Sequence, residues 1–184
     1  MKDFYLKIFS TENRISDSDF EAFYSLIKAS FPKSERRTKR AFKELCKRES
    51  RFKIYALFSE NRLCAFLTVW EFVDFTFGDH FAVSPALRGG GIGSRMLAEL
   101  KQNCTLPFII EVELPEAEMA RRRIGFYKRN GLAICDFDYI LPAMQKGRES
   151  VPMKIMSYPA ALTQQEFEPI KRELYKTVYN VQCD

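Results

Sequence analysis

Two hydrophobic patterns alternate along the chain, one typical of helices and one typical of strands. Phe20, Phe23 and Ile27 recur at the three- and four-residue spacing of one helix face. Residues 52–58 and 63–72 are instead rich in apolar and aromatic side chains and flank a polar turn, which predicts an antiparallel hairpin. The other predicted strands are residues 2–9, 76–83, 108–113, 132–137 and 152–158, and the predicted helices begin near residues 17, 39, 94, 116 and 163.

Residues suited to helix ends stand where the helical patterns begin and stop. The stretch from Ser16 to Asp19 offers N-caps for the first helix, and Thr38 offers one for the second. Pro32 ends the first helix, because the residue before a proline is disfavoured in helical conformation. Gly131 is placed as the glycine that follows the helix at 116–130. Residues 139–150 are predicted to be a polar loop.

The order of the predicted elements is β-α-α-β-β-β-α-β-α-β-β. It predicts an α/β fold (an α+β mixed sheet) with helices on both faces. The 184 residues fit a single domain over 1–184 that is large enough to bury a sizeable core. We expect the core to span about 4–158 and a C-terminal helical extension to span about 163–180. The apolar face of that extension is Phe167, Ile170, Leu174 and Val178.

Composition excludes several classes of protein. The chain is 46% hydrophobic and 29% charged, which is typical of a folded globular domain and not of a disordered one. No apolar run approaches the ~20 residues needed to span a bilayer, and the N-terminus lacks a signal-peptide pattern. We therefore expect a cytoplasmic protein without membrane partners. The net charge of +5 suits an anionic ligand but does not by itself indicate nucleic acid.

Cysteine and histidine usage argues against a disulfide framework and against a metal site. Five scattered cysteines without a C-x-x-C pair indicate reduced, mostly buried thiols. The single histidine, His80, has no neighbours at metal-ligand spacing, so no metal is expected. The five cysteines are Cys46, Cys64, Cys104, Cys135 and Cys183.

The segment 33–51 is strongly basic and has two interpretations. The first is a solvated helix face, which is the usual role of a charge run. The second is that Arg36, Arg37 and Arg40 hold a phosphate or an acidic acceptor. No aromatic side chains are interleaved with the charges on a sheet, so specific RNA binding is not expected.

A glycine-rich stretch between a strand and a helix carries the clearest chemical signal. Gly89, Gly90, Gly91 and Gly93 remove the Cβ atoms that would keep a ligand from the backbone. The N–H groups at the start of the following helix, with the positive end of its dipole behind them, form an anion site suited to a pyrophosphate. Arg88 adds a positive charge at the mouth of this loop.

Spacing separates this loop from two other phosphate loops. A P-loop requires lysine directly after its last glycine, and Gly93 is followed by Ser94. The dinucleotide fingerprint Gly-x-Gly-x-x-Gly would require glycine at Ser94 or at Met96. Neither pattern fits.

Two motifs resemble the GNAT superfamily of N-acetyltransferases. The segment 88–93 resembles its acetyl-CoA motif Arg/Gln-x-x-Gly-x-Gly/Ala, and 125–132 is similar to its Phe-Tyr-x-x-x-Gly-Phe segment, with Leu132 in place of the last aromatic. The predicted order of elements is also that of the GNAT fold, to which the C-terminal helix is an addition. The resemblance covers about residues 4–158.

The resemblance also implies roles for individual residues. Tyr127 would protonate the departing thiolate, a role that suits a phenol because it is neutral at pH 7. The base that accepts the amine proton would be Glu111, which lies in a segment similar to the family's Leu-Glu-Val. Glu71 at the end of its strand, and Asp79 and His80 at the start of theirs, compete for this role, with Glu71 ranked second and His80 third. Backbone groups of the strand 81–83, which the family splays with a bulge, would pair with pantetheine and stabilise the oxyanion. The cofactor-binding residues would be Phe81, Ala82, Val83, Arg88, Gly89, Gly90, Gly91, Ile92, Gly93 and Ser94, with Arg95 as a possible addition.

The function implied is N-acetylation of a primary amine by direct attack on the thioester of acetyl-CoA. The acceptor would be a small molecule or a peptide, and the protein a monomer or a homodimer. One alternative is a non-catalytic acyl-CoA-binding regulatory module, which predicts binding without turnover. Another is a nucleic-acid-associated protein that uses segment 33–51, which predicts salt-sensitive binding.

Overall fold

The computed structural model describes residues 3–33, 35–143 and 149–181 of the chain. Lys2, Cys183 and residues 144–148 of the predicted polar loop lie outside these ranges. The described residues form a mixed α/β fold, as predicted. Its strands are β1 (Phe4–Phe9), β2 (Phe52–Ser59), β3 (Arg62–Glu71), β4 (Thr76–Val83), β5 (Phe108–Glu113), β6 (Ala133–Ile134), β7 (Tyr139–Leu141) and β8 (Val151–Tyr158). Its helices are α1 (Asp17–Ser30), α2 (Lys39–Arg48), α3 (Ile92–Asn103), α4 (Glu118–Arg129) and α5 (Gln164–Glu173), and α5 continues as a π-helical segment, Leu174–Tyr179.

The chain packs as two compact units, residues 1–106 and residues 107–184. In the first unit, β1, β2, β3 and β4 form an antiparallel meander in chain order. Seven of the eight residues of β2 are buried, as are seven of the ten residues of β3. Because successive side chains of a strand point to opposite faces, this burial requires cover on both sides of the two strands. Helices α1 and α3 both pack on β3.

The two helices that precede β2 begin where the sequence predicts. The Ser16 hydroxyl accepts a hydrogen bond from the backbone N–H of Asp19, and the Thr38 hydroxyl accepts one from Ala41. Both predicted caps are therefore confirmed. The aromatic face of α1 meets the sheet through Phe23, whose ring lies edge-on to Phe66 at 4.8 Å between centroids.

A β-bulge interrupts the pairing of β3 with β4. Thr68 pairs with His80 and Val69 pairs with Gly78, so Asp79 is an extra residue on β4. From the resemblance we expect a bulge that splays residues 81–83. The structure places this irregularity two residues earlier, where it brings the side chains of two consecutive residues, Asp79 and His80, within 2.9 Å of each other.

In the second unit, β8 pairs antiparallel with three strands. It faces β5 over six residue pairs, from Phe108–Tyr158 to Glu113–Met153, and it also pairs with β6 and β7. The predicted strand at 132–137 is confirmed only at the two residues of β6. The prediction of a polar loop over 139–150 is wrong at its start, because Tyr139–Leu141 forms β7. These three residues are apolar, but the run is too short to stand out beside the polar stretch that follows.

The C-terminal extension begins with a capping box. The Thr163 hydroxyl accepts from the backbone N–H of Glu166, and the Glu166 carboxylate accepts from the backbone N–H of Thr163. Phe167, Leu174 and Val178 are buried, which confirms most of the predicted apolar face. The last six helical residues form π-helix rather than α-helix, which the 3.6-residue period does not predict. Across the part of the chain that the structure describes, no helix has the length and apolar character needed to cross a membrane.

We predict that Phe42→Ala lowers the free energy of unfolding by about 3–5 kcal/mol. Phe42 of α2 is fully buried and contacts the rings of Phe23 and Phe52, so its loss leaves a cavity that rigid neighbours cannot fill. Urea unfolding measures the change. Lys47→Ala, on the exposed face of the same helix, is the control and should change stability by less than ~0.5 kcal/mol. Equal effects of the two substitutions would contradict the assignment of Phe42 to the core.

Candidate active site

The glycine loop leads from β4 into α3 with the geometry of an open backbone cradle. Gly89 and Gly91 have φ angles of 81° and 76°, which L-residues with a Cβ rarely adopt. A Cβ at either position would meet no atom within 4 Å, so the space above the loop is open. A side chain there would project into that space, in the place where a ligand would approach the backbone.

The start of α3 differs from the start of three other helices in the described chain. Ser16, Thr38 and Thr163 each cap a helix with a side-chain oxygen. At α3 the cap position is Gly91, which has no side chain, and the first turn carries no acidic residue. The backbone N–H groups of the first turn are therefore left for a ligand, and the helix dipole favours an anion there. This arrangement fits a pyrophosphate.

The rest of the predicted cofactor segment lies around this loop. Phe81 and Val83 of β4 are half-buried and Ala82 is buried between them. The Arg88 side chain is exposed, and its Nε donates to the Val83 carbonyl at 3.3 Å. Arg95 is held elsewhere, because its guanidinium lies over the Phe4 ring and donates to the Phe4 carbonyl. Arg88 is thus the better placed of the two arginines to meet an anion at the loop.

A buried ionic cluster lies upstream on the same strand. The Asp79 carboxylate accepts from Arg37 at 2.6 Å and from the Trp70 indole at 3.3 Å. The His80 Nδ1 atom lies 2.9 Å from the same carboxylate, and its Nε2 atom lies 2.9 Å from the Glu35 carbonyl. His80 is thus buried, with Nε2 hydrogen-bonded to the backbone and Nδ1 beside the Asp79 carboxylate but without a hydrogen-bond partner among the described residues, which suits a structural role better than that of a catalytic base.

Pairing within this cluster shifts the pKa values of both titratable partners. Burial alone would raise the pKa of Asp79, but the charges of Arg37 and His80 lower it well below its usual range. Burial alone would lower the pKa of His80, but the Asp79 carboxylate beside it raises that pKa above its ordinary value. Each partner is thus held in its charged form.

The two interpretations of the basic segment 33–51 both need correction at its N-terminal part. Arg37 is neither solvated nor open to a ligand, because it neutralises the buried Asp79. Arg36 donates to the Tyr24 hydroxyl at 3.0 Å. Arg40 lies exposed on α2. The sequence could not identify the partner of Arg37, because Asp79 is 42 residues away along the chain.

Glu71, the second candidate base, is paired with a lysine at the end of β3. Its Oε2 atom lies 2.5 Å from Lys53 Nζ, and its Oε1 atom accepts from the Tyr55 hydroxyl at 3.2 Å. Burial and the Glu71 charge raise the pKa of Tyr55, so this phenol remains a donor. In the turn between β3 and β4, the Phe72 ring is stacked on the Phe75 ring.

Glu111, the first candidate base, lies on β5 in the second unit. Its Oε1 atom accepts from the Tyr139 hydroxyl at 2.5 Å, and its Oε2 atom accepts from the Tyr179 hydroxyl at 2.6 Å. Sequence reasoning missed both phenols, since it assigned Tyr139 to a loop and did not include Tyr179 in the apolar face of the C-terminal helix. The four-residue spacing of Tyr175 and Tyr179 is the one signal that could have pointed to this face.

Tyr127 lies on α4 with its side chain almost completely buried. Burial raises the pKa of Tyr127 to about 12, against a smaller opposing effect of Arg123. The phenol is therefore neutral over the whole physiological range and able to donate a hydrogen bond. Gly131, four residues on, has a φ angle of 86°, which confirms it as the glycine after the helix.

Within the described ranges, no group of three His, Cys, Asp or Glu side chains is arranged to hold a metal ion. Cys64 and Cys135 are buried, and burial raises the pKa of Cys46 to about 11, so this thiol is not ionised at neutral pH.

Comparison with known proteins identifies relatives of this arrangement. A family model described as "Acetyltransferase (GNAT) domain" matches residues 50–131. A Bacteroides thetaiotaomicron protein assigned to the GNAT family superposes with a TM-score of 0.87 at 32% identity, covering 97% of this chain and 99% of its own. Among curated protein sequences, none matches the chain.

More distant solved structures share the fold. The ribosomal-protein-S18-alanine N-acetyltransferase from Escherichia coli has a TM-score of 0.57 at 18% identity and covers 88% of this chain and 97% of its own. Arabidopsis thaliana Naa50, solved with the bisubstrate analogue CoA-Ac-MVNAL, has a TM-score of 0.59 at 16% identity and covers 83% and 98%. At these identities the likeness concerns the fold alone.

We predict that the free energy of unfolding falls as the pH rises above about 6.5 and that His80→Gln removes most of this dependence. The pKa of His80 is raised in the folded state, so its charge stabilises the fold at low pH and stops doing so as the pH rises through the raised value. Because His80 is the one histidine of the sequence, the variant contains no other histidine whose titration could contribute to the pH dependence. Urea unfolding between pH 6 and pH 9 measures both proteins, and parallel curves would contradict the prediction.

Proposed function

As a member of the GNAT family of N-acetyltransferases the chain is an acyltransferase, and we propose that it transfers an acetyl group from acetyl-CoA to a primary amine. The observation that carries the choice of donor is the uncapped start of α3 behind Gly91. Coenzyme A carries a pyrophosphate, and backbone N–H groups at a helix start bind such anions without a side chain. The exposed Arg88 adds a positive charge at the same loop.

The residues proposed to hold the donor are those of β4 and the glycine loop. N–H groups from Gly89 to Ser94 bind the pyrophosphate, and backbone groups of Phe81, Ala82 and Val83 bind the pantetheine arm. Acetyl-CoA, when bound, supplies an acetyl thioester that an amine can attack. The same strand stabilises the charge that develops on the thioester oxygen, since a fixed N–H group oriented in advance costs no reorganisation during the reaction.

We propose direct transfer to the amine, without an acetyl-enzyme. A covalent route would need a nucleophile beside a base. The raised pKa of Cys46 keeps its thiol protonated, and the one histidine of the chain is engaged with Asp79 and with the Glu35 carbonyl. Neither residue is set up to form a thiolate–imidazole pair.

Glu111 is the proposed acceptor of the amine proton. A carboxylate serves this role only while it is ionised, and phenol donors on both of its oxygens favour that form. Glu71 is the weaker candidate, because the Lys53 ammonium at 2.5 Å neutralises its charge. Tyr127 is the proposed donor to the departing thiolate, since burial keeps its phenol protonated.

The proposed acceptor is a primary amine on a small molecule or on a peptide. An amine attacks only in its neutral form, so the acceptor has to lose a proton before it reacts. The E. coli S18-alanine N-acetyltransferase and the CoA–peptide analogue bound to Naa50 are consistent with a peptide N-terminus as one member of this class.

We predict that Gly91→Glu weakens acetyl-CoA binding by two or more orders of magnitude, because a carboxylate at the cap position repels the pyrophosphate and competes for the same N–H groups. Calorimetry measures the affinity. Gly91→Ala is the matched control, since it introduces the same strain at a φ of 76° without a charge, and its added Cβ meets no atom within 4 Å. We expect the alanine variant to lose far less affinity. A wild type that binds no acyl-CoA would contradict the proposed function and leave the loop as a simple turn.

We predict that Tyr127→Phe lowers kcat by about 100-fold while the affinity for acetyl-CoA stays within twofold. Removal of the hydroxyl takes away the proton donor and leaves the ring that packs beside Phe126. Thiol release across a panel of primary amines, followed with a thiol reagent, measures kcat. Unchanged turnover would exclude Tyr127 as the acid, and binding without any turnover would favour a regulatory module.

A further inference from the structure

The C-terminal extension reaches the candidate base through its π-helical segment. Tyr179 is the last residue of that segment, and its hydroxyl donates to Glu111 on β5, 68 residues earlier in the chain. Tyr139 of β7 donates to the other carboxylate oxygen. Three separate parts of the second unit therefore meet at one carboxylate.

The environment of the two phenols fixes their hydroxyl groups in place. The Tyr139 side chain is 2% exposed and that of Tyr179 is 8% exposed. The Tyr139 ring lies edge-on to Phe167 of α5 at 5.5 Å between centroids, and Tyr175 lies between the two phenols at 6.2 and 6.5 Å. A buried ring held on two sides has little rotamer freedom, so its hydroxyl is directed by packing.

The hydrogen bonds run in the direction that favours an ionised carboxylate. Burial and the Glu111 charge raise the pKa of Tyr139 far above its ordinary value, so this phenol donates and does not lose its proton. A carboxylate has about four acceptor positions, and the two phenols use one on each oxygen. Hydrogen bonds to the charged form stabilise that form.

Two charged residues near Glu111, in the part of the chain that the structure describes, pair with other residues. Glu113 lies two residues along β5 on the same face and pairs with Arg123 of α4 at 2.8 Å. Lys154 of β8 pairs across the strands with Val112, on the opposite face from Glu111, and contacts Asp138 at 3.2 Å. The phenols from β7 and from the π-helical segment both donate to Glu111, and both hydrogen bonds favour its ionised form.

We propose that Tyr139 and Tyr179 are positioning residues that hold Glu111 ionised and in one orientation, ready to take the proton of the acceptor amine. This inference rests on the proposed function, which makes Glu111 the proton acceptor. It gives the C-terminal extension a part in the chemistry, through a hydroxyl group that does not touch the reacting atoms.

The test compares Tyr179→Phe and Tyr139→Phe with Tyr175→Phe in the full-length protein. Each of the first two variants removes a hydroxyl group that donates to Glu111. The third removes the Tyr175 hydroxyl, which lies in the same region but donates to the Ile140 backbone carbonyl. We expect kcat to fall about tenfold in the first two variants, a smaller loss than the ~100-fold cost of a 1 Å misplacement. The acidic limb of the pH profile should move upward by roughly half a unit or more, while KM for acetyl-CoA and the Tyr175→Phe profile stay unchanged.

A second measurement follows the ionisation of the Glu111 carboxyl group in the absence of turnover. Carbon-13 labelling of glutamate carboxyl groups, with Glu111→Gln to assign the signal, gives the titration midpoint of Glu111 by NMR. We expect a higher midpoint in Tyr179→Phe and Tyr139→Phe than in the wild type and in Tyr175→Phe. Equal midpoints in all four proteins would overturn the inference, as would a shifted midpoint with unchanged kcat and pH profile.

Failure of the proposed function gives a different result from failure of this inference. If the wild type neither binds acyl-CoA nor acetylates an amine, the proposed function is wrong, and this result is obtained before any variant is compared. A wild type that turns over, with Tyr179→Phe matching it in kcat and pH profile, overturns only the role of the phenols.

Discussion

The first unit depends on the neutralisation of one buried carboxylate. Asp79 is the extra residue of the β4 bulge, and its partners come from the α1–α2 connection, from β3 and from the next residue of β4. A buried charge without partners costs several kcal/mol, so these segments have to assemble together for the unit to be stable. Asp79 lies on β4, the strand that leads into the glycine loop.

The features that the sequence predicted are those encoded within a few residues of each other. Four glycines between positions 89 and 93 indicate a backbone that approaches a ligand, and Gly91 does cap α3 in the left-handed conformation. Ser16 and Thr38 mark helix starts because a cap needs only its own first turn. The hydrophobic pattern likewise placed β2, β3, β4 and β5 within about a residue of their observed bounds.

The features that escaped prediction require contacts between distant residues. The bulge at Asp79 is a property of two strands, and the role of Arg37 depends on an acid 42 residues away. The phenols at Glu111 come from a three-residue strand and from a π-helical segment, neither of which has a periodic signature of useful length. A motif made Glu111 a candidate base, but the two tyrosines that donate to its carboxylate are brought there by packing of distant segments.

The position of Tyr139 and Tyr179 along the chain matters for how relatives are grouped. The segment shared with the GNAT domain model ends at residue 131, before both tyrosines. That segment contains Glu111 itself but neither of the phenols that donate to it. A finer division of the family would follow the C-terminal helix, because that is where this chain supplies a partner for its β5 carboxylate. Under the proposed function, subfamilies defined in this way would differ in the groups that hold the proton acceptor rather than in the cofactor that they bind.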